Sequence, residues 1–189
     1  MHRLVAGSLL LLALTPDADA TSSRARQIIQ AMEKQAESNA WEGVEGQYDR
    51  LAELDEALPA NAHLLGARAA AAQGHAQQRW ERLQLAIGAE DGAVAQPEVD
   101  AMASDYGSVT IKGKPAWHST LNIQTRPFAT DKAAAFDYAA RRLKGAGSFS
   151  GMLPVGQYCV GTQAFEVGAG AEPVSIKLTG KDLKACSAW

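Results

Sequence analysis

The hydrophobic pattern of this chain changes period near residue 100, and this change limits the possible folds more than any other feature. From Ser23 to Gly88 the apolar residues recur every three to four positions, which is the spacing of helices that bury one face. After Tyr106 apolar and polar residues alternate in short runs separated by Gly and Pro, which is typical of half-buried strands. The pattern therefore predicts an α+β protein with its helices first and its strands second.

Four helices are expected in the first part of the chain. Ser22 or Ser23 is placed to cap the first helix, and a second is predicted over residues 40–58. The third is predicted over residues 62–73 and the fourth over residues 76–87, each followed by a glycine. The short connections between these helices predict antiparallel neighbours.

The helical pattern repeats after 35 residues. Five positions recur in order, with Asn39, Trp41, Val44, Tyr48 and Leu51 matched by Gly74, Ala76, Arg79, Leu83 and Ala86. Over residues 24–90 this period resembles that of tetratricopeptide repeats, a family of stacked helix–turn–helix units. The resemblance implies antiparallel helical hairpins with a groove for a partner protein. An Ala-rich four-helix bundle without repeats is the alternative reading.

The second part is predicted to be an antiparallel β-sandwich with one inserted helix. That helix is expected over residues 131–144, with Thr130 as its cap and Asp131 at its positive end. Gly145 is expected to end it.

A turn signature marks the strands that follow this helix. Pro154 restricts the backbone, Gly156 permits a positive φ, and Tyr158 stands where the next strand begins. Residues 147–160 resemble the Gly-x-Phe strand and Leu-Pro-x-Gly-x-Tyr turn of transthyretin-like, or carboxypeptidase-regulatory-like, sandwiches. Such domains act as accessory, adhesive or folding modules, so the resemblance implies a module without a catalytic motif.

The first twenty residues have the layout of a secretory signal peptide. A short positive start precedes an apolar run of eleven residues, Leu4 to Leu14, and a small-x-small site at residues 18–20. A membrane anchor needs about 18 to 20 apolar residues, so a membrane-spanning reading is disfavoured. Cleavage after Ala20 is expected, and the mature protein is predicted to be secreted or periplasmic with no membrane span.

The expected organisation is a signal peptide over residues 1–20, a TPR-like helical domain over 21–93, a linker over 94–105 and a sandwich domain over 106–189. Charge is divided unevenly between the two parts. Residues 21–105 hold seven Lys/Arg and fourteen Asp/Glu, whereas residues 106–189 hold ten and five. Two solvated surfaces explain this division, and so does attraction between the halves or a choice of opposite partners. The basic residues are not interleaved with stacking aromatics, so no nucleic-acid partner is expected.

The two cysteines, Cys159 and Cys186, are predicted to form a disulfide after export. The loop that they close would stabilise the fold by about 3 kcal/mol in the chain-entropy argument. No histidine lies near either cysteine in sequence, so a shared metal site is disfavoured.

Signals for catalysis are weak. The histidines lack metal-binding spacings, and residues 147–151 have Phe149 where a nucleophile elbow requires serine. Four acidic residues share one face of the second helix and are interpreted as a solvated face: Glu42, Glu45, Asp49 and Glu53. The sequence therefore predicts no enzyme, catalytic residue, metal or cofactor.

The function expected from these features is that of an exported, non-enzymatic protein–protein interaction or scaffolding module of the cell envelope. Its partner would be another envelope or secreted protein. The alternative is a carbohydrate- or peptidoglycan-binding accessory protein, with a glycan as ligand. Trp117, His118 and Trp189 are the expected contact residues because exposed aromatic groups mark protein and sugar binding.

Overall fold

The computed structural model describes residues 22–114, 119–170, 172–179 and 186. Six α-helices lie in this part of the chain: α1 (Ser23–Glu37), α2 (Trp41–Ala52), α3 (Ala60–Ala72), α4 (Ala76–Gly88), α5 (Gln96–Asp105) and α6 (Thr130–Ala146). The strands are β1 (Tyr106–Lys112), β2 (Leu121–Ile123), β3 (Phe149–Pro154), β4 (Gly156–Val160), β5 (Gln163–Val167) and β6 (Val174–Lys177). The α+β class and the order of helices before strands are thus confirmed, whereas the predicted signal peptide lies outside the described residues.

The first two helices begin and end for local reasons. Ser22 caps α1, because its Oγ accepts a hydrogen bond of 3.2 Å from the backbone N–H of Ala25. The prediction that the second helix reaches residue 58 is wrong, since α2 ends at Ala52 and Asp55 has a positive φ of 53°. Pro59 then disfavours helical backbone in the residue before it, and α3 starts directly after the proline.

Both helical hairpins turn through a residue with positive φ. Asn39 (57°) joins α1 to α2, and Gly74 (79°) joins α3 to α4, at equivalent positions of the 35-residue repeat. Gly74 also has a steric reason to be glycine, because an added Cβ would lie 2.1 Å from the carbonyl oxygen of Ala134. The turn that closes the second hairpin therefore touches α6 in the second half of the chain.

The strands form two three-stranded sheets, with orders β3-β1-β6 and β2-β4-β5. Three of the four strand pairs are antiparallel, as expected, but β1 and β6 are parallel. The prediction of an all-antiparallel arrangement is therefore wrong for the first sheet. A parallel pair requires a long connection, and the chain between β1 and β6 supplies one because it contains α6 and four strands.

The predicted turn after β3 carries the chain from one sheet to the other. Val155 alone separates β3 from β4, and these two strands belong to different sheets. The hydroxyl of Tyr158 donates a 2.7 Å hydrogen bond to the carbonyl oxygen of Pro154 and is fully buried. This bond braces the corner at which the chain changes sheet.

Helix α6 is longer than predicted at both ends. Thr130 is its first residue and not its cap, since Ala129 is the cap residue and makes no side-chain capping bond. The helix continues through Gly145 and ends at Ala146, and Gly147, with a φ of 68°, is its left-handed C-terminal cap. The prediction that Gly145 ends the helix is therefore wrong. The local sequence pattern is compatible with a helix end at Gly145 or at Gly147 and does not distinguish them.

Three hydrophobic clusters hold the fold together. One lies within the helical half, and a second joins α6 to both sheets, with Ile111, Leu143 and Tyr158 fully buried. The third, called here the shared core, contains residues from α3, α4, α5, β1, α6 and β3, among them Leu83 and Met102. The residues of the predicted linker thus include a helix, α5, whose Val99 and Met102 pack in the shared core.

Within the described residues, no helix has the length and apolar character needed to cross a membrane.

Candidate functional site

An ion pair joins the two halves beside the shared core. Arg79 on α4 donates a 2.7 Å hydrogen bond from Nη1 to Oδ2 of Asp131 on α6. The hydroxyl of Tyr106, the first residue of β1, donates to the same oxygen at 3.3 Å. Lys132 and Asp105 form a further ion pair at 3.0 Å between α6 and α5. These contacts set the position of α6 relative to the helical half.

The protonation of this cluster follows from its surroundings. Burial alone would raise the pKa of Asp131, but hydrogen bonding and charge from Arg79 outweigh it and hold that pKa below its usual value. Burial, followed by the negative charge of Asp131, raises the pKa of Tyr106 far above its ordinary value. Asp131 is therefore ionised and Tyr106 is a neutral donor at neutral pH, so the cluster is structural rather than poised for proton transfer.

A groove opens at this junction. It consists of three adjoining depressions of about 100, 290 and 560 Å³ that share Ser150. Its walls are residues 74–78 at the start of α4, 108–112 of β1 and 148–152 around β3, together with Tyr138 and Arg142 of α6. This surface, the junction groove, draws on both halves of the chain.

The chemistry of the junction groove is polar and cationic. Lys112 and Arg142 are its charged residues, and none of the residues in its walls is acidic. The hydroxyls of Thr110 and Ser150 lie 3.3 Å apart across the β1–β3 pair. The groove therefore offers hydroxyl groups and positive charge, without a carboxylate that could serve as a general base.

An aromatic pair lies at the narrow end of the junction groove. The rings of His75 and Tyr138 meet edge to face, with centroids 4.6 Å apart and planes at 66°. The Nδ1 atom of His75 is buried and has no hydrogen-bond partner, and no side chain caps the start of α4. Tyr138 is half-buried, so part of its surface is open to a ligand in the groove.

A second polar cluster is buried within the helical half. Arg82 on α4 makes a two-point ion pair with Glu45 on α2, at 2.5 and 2.7 Å, and donates to the carbonyl oxygen of Gly66 at 2.8 Å. Its guanidinium lies 4.2 Å from the ring centroid of Tyr48, whose hydroxyl is 2.8 Å from Nδ1 of His63. Every member has a partner inside the protein, so this cluster serves to align the helices.

Burial shifts the titration of this helical cluster. It lowers the pKa of His63, and the nearby positive charge of Arg82 lowers it further. Burial raises the pKa of Tyr48, against the influence of Arg82. Neutral His63 and neutral Tyr48 are therefore the forms that the folded state favours.

Among the predicted site residues, the two cysteines are bonded to each other. Cys159 and Cys186 form a disulfide with their Cα atoms 6.0 Å apart, which connects the centre of the second sheet to the C-terminal segment. The predicted contact residues Trp117, His118 and Trp189 lie outside the described residues, and their role stays a prediction. The junction groove is built from other side chains.

Sequence reasoning did not single out Tyr138, Arg142 or Arg82. Arg82 occupies the buried side of α4 and pairs with Glu45, so the interpretation of Glu45 as part of a solvated face is wrong. An arginine on the otherwise apolar, buried face of α4, together with an acidic residue on a neighbouring helix, was the available signal. No comparable signal marks Tyr138 and Arg142, because their importance depends on which strands lie beside α6.

One exposed aromatic residue lies outside the junction groove. Phe128 is fully exposed, in the segment between β2 and α6, and Arg126 nearby pairs with Asp137 at 2.9 Å. A single exposed apolar side chain does not define a binding site. The junction groove is therefore the better candidate.

Among the described residues, no group of three or more His, Cys, Asp or Glu side chains is arranged to hold a metal ion. Comparison with family models, with curated proteins and with solved structures finds no match to this chain.

Proposed function

We propose that this chain is an exported, non-enzymatic interaction module of the cell envelope that binds a partner protein in the junction groove. The observation that carries the proposal is the composition of the groove, which places a half-exposed tyrosine and an exposed arginine one helical turn apart at a concave surface. Tyrosine and arginine are among the residues that contribute most to protein–protein binding energy. The absence of acidic residues from the groove walls is also more compatible with binding than with hydrolysis.

The finer architecture is part of the same proposal. The two hairpins α1–α2 and α3–α4 would be tetratricopeptide-like repeats, and their equivalent turns at Asn39 and Gly74 support this reading. The two sheets would form a transthyretin-like sandwich, supported by their common hydrophobic cluster and by the Pro154–Tyr158 corner. In this arrangement α6 packs against α3, where a further repeat would stack in a longer array.

Site-specific cross-linking in the envelope tests the proposal with the full chain. A photo-crosslinking amino acid at Ser150 lies inside the groove, and one at Gln30 lies on the exposed face of α1 as a control. We expect discrete protein adducts from position 150 and not from position 30. Equal adducts from both positions, or none from position 150, would contradict the proposal.

Two adjacent arginines provide a matched pair of variants for this experiment. Arg141 and Arg142 are both exposed on α6, but only Arg142 is part of the junction groove. We expect Arg142→Ala to reduce the yield of the adduct by about fivefold, and Arg141→Ala to leave it nearly unchanged. Deleting the whole helical half is a poorer test, because it would expose the shared core.

A glycan is the second candidate ligand, and one observation favours it. Ser150, Thr110 and Ser175 stand in register on three neighbouring strands and form a row of hydroxyl groups on one face of the first sheet. Cosedimentation with peptidoglycan sacculi tests this possibility. Binding that Arg142→Ala and Thr110→Val both weaken, without protein adducts at position 150, would favour the glycan.

A further inference from the structure

Three exposed cations lie on or beside the open face of the first sheet, and none of them forms an ion pair with another described residue. Lys112 on β1 and Lys177 on β6 are neighbours in the parallel register, and Arg142 shares a depression of about 560 Å³ with Lys112. Two other cations of this region differ, since Arg126 pairs with Asp137 and Lys132 with Asp105. The three cations define what we call the cationic face.

The cationic face offers hydrogen-bond donors in excess of acceptors. Lysine and arginine side chains donate but cannot accept, whereas the neutral polar groups nearby both donate and accept: Thr110, Ser150, Ser175 and Gln77. Neutral sugars and neutral peptides present donors that require acceptors in return. A ligand rich in carboxylates supplies acceptors and opposite charge together.

A protein segment satisfies these conditions better than an acidic glycan. Sugar rings commonly dock on an open aromatic surface, whereas the ring of Tyr138 is half-buried and packs edge to face with His75. Phe149, the other aromatic residue of the groove walls, is buried. The described surface therefore has charge and hydroxyl groups in place but no free aromatic platform.

We infer that the partner bound at the junction groove presents an acidic segment, and that Lys112, Arg142 and Lys177 recognise its carboxylates. This inference rests on the proposed function and adds the chemical class of the partner surface. The free cations would steer the segment to the face and then hold it, so binding is expected to weaken as salt screens charges over about 10 Å.

The test measures binding of defined probes to the full exported chain with its disulfide formed. The acidic probe is a synthetic peptide of alternating Glu and Ser, and the neutral control is the same peptide with Gln in place of Glu. Amide chemical shifts are followed by NMR during titration, at low and at high salt. We expect the acidic peptide to shift resonances of β1, β6 and the end of α6, and the neutral peptide to shift none of them.

Two triple variants with equal loss of charge separate a specific site from general electrostatic attraction. Lys112→Gln, Arg142→Gln and Lys177→Gln remove the cationic face, whereas Arg24→Gln, Arg26→Gln and Arg50→Gln remove exposed cations of α1 and α2. We expect the first set to weaken binding of the acidic peptide by about tenfold and the second by less than about twofold. Equal weakening by both sets, or no binding by the parent chain, would overturn the inference.

Three further outcomes are informative. A polygalacturonate chain that binds the cationic face more tightly than the acidic peptide would overturn the protein segment in favour of an acidic glycan. Protein adducts at Ser150 without binding of the acidic peptide would contradict the inference and leave the proposed function intact. Peptide binding without any adduct at Ser150 would instead count against the proposed function.

Discussion

The hydrogen bond between Tyr48 and His63 illustrates how a single buried pair makes the helical half sensitive to pH. Burial and Arg82 lower the pKa of His63, so the unfolded chain binds a proton more readily than the folded one. The stability from neutral His63 is present above its unfolded pKa of about 6.5 and is lost as the pH falls below that value.

We therefore expect the free energy of unfolding to fall between about pH 7.5 and about pH 5, and to fall less in His63→Gln. Glutamine does not titrate and retains groups that can pair with the Tyr48 hydroxyl. Urea denaturation of both proteins at the two pH values measures the difference. A slope as steep in the variant as in the parent would assign the pH dependence to other groups.

Gly74 leaves no room for a side chain. Its φ is 79°, and an added Cβ would lie 2.1 Å from the carbonyl oxygen of Ala134. We expect Gly74→Ala to lower the free energy of unfolding by roughly 3 kcal/mol or more, because backbone strain and a clash with α6 combine.

Gly46 supplies the matched control for this substitution. It lies within α2, and an added Cβ would meet nothing within 4 Å. Gly46→Ala is expected to stabilise the protein by about 0.5–1 kcal/mol through helix propensity. Thermal and urea unfolding of both variants measure whether each substitution raises or lowers the free energy of unfolding. If Gly74→Ala left it unchanged, the close approach of α6 would be disproved.

At the scale of elements, the contact between α4 and α6 depends on one carboxylate with two donors. Asp131 accepts from Arg79 and Tyr106, both of which are largely buried. We expect Asp131→Asn to destabilise the fold by roughly 1–3 kcal/mol, because Arg79 loses its counter-charge in a partly buried site. Urea denaturation at neutral pH measures the loss.

The exposed pair Arg126–Asp137 is the control for this contact. Its side chains are 65% and 40% exposed, so Asp137→Asn is expected to cost less than about 1 kcal/mol.

The loss of stability caused by Asp131→Asn is also expected to become smaller in acid. The pKa of Asp131 is lowered in the folded state, so its contribution is present above the unfolded pKa and is lost as the pH falls through the folded one.

The disulfide is the element that ties the C-terminal segment to the second sheet. Cys159 lies on the central strand β4 and is fully buried, and Cys186 follows 27 residues later. We expect Cys159→Ala with Cys186→Ala to lower the free energy of unfolding by about 3 kcal/mol. Reductant should not change the free energy of unfolding of this variant. If reductant also left that of the parent chain unchanged, the result would argue against the disulfide.

At the scale of the whole molecule, the shared core determines how the two halves behave. Residues of α3, α4, α5, α6 and both β1 and β3 pack in it, so neither half can open without exposing apolar side chains of the other. Two ion pairs also join the halves. Lys132–Asp105 has the direction expected from the net charges of the halves, whereas Arg79–Asp131 has the opposite direction, so the net charges alone did not predict these pairs.

We expect the full chain to unfold in one cooperative transition. Helix content by far-UV circular dichroism and tryptophan fluorescence should give coincident urea curves. Met102→Ala, in the shared core, should shift both curves together by about 2–4 kcal/mol. Two separate transitions, with only one moved by Met102→Ala, would show that the halves are independent domains.

The sequence by itself determined the features that depend on neighbouring residues. The change of period separated helices from strands, Ser22 marked the start of α1, and the 35-residue echo located two equivalent turns. The disulfide was also predictable from the sequence, because a chain with two cysteines has only one possible internal pairing. Local patterns were less reliable for element ends, as Thr130 and Gly145 demonstrate.

Tertiary structure alone decided the features made by residues distant in sequence. The parallel β1–β6 pair, the shared core and the junction groove each bring together segments separated by tens of residues. Tyr138 has ordinary local surroundings, and only the packing of other elements makes it part of a groove wall. Arg82 carried a local signal, but only the packing of the helices identifies Glu45 as its partner. Hydrophobic periodicity states which face of an element is buried, but not against which partner, and this is the physical reason why the site was not evident from the sequence.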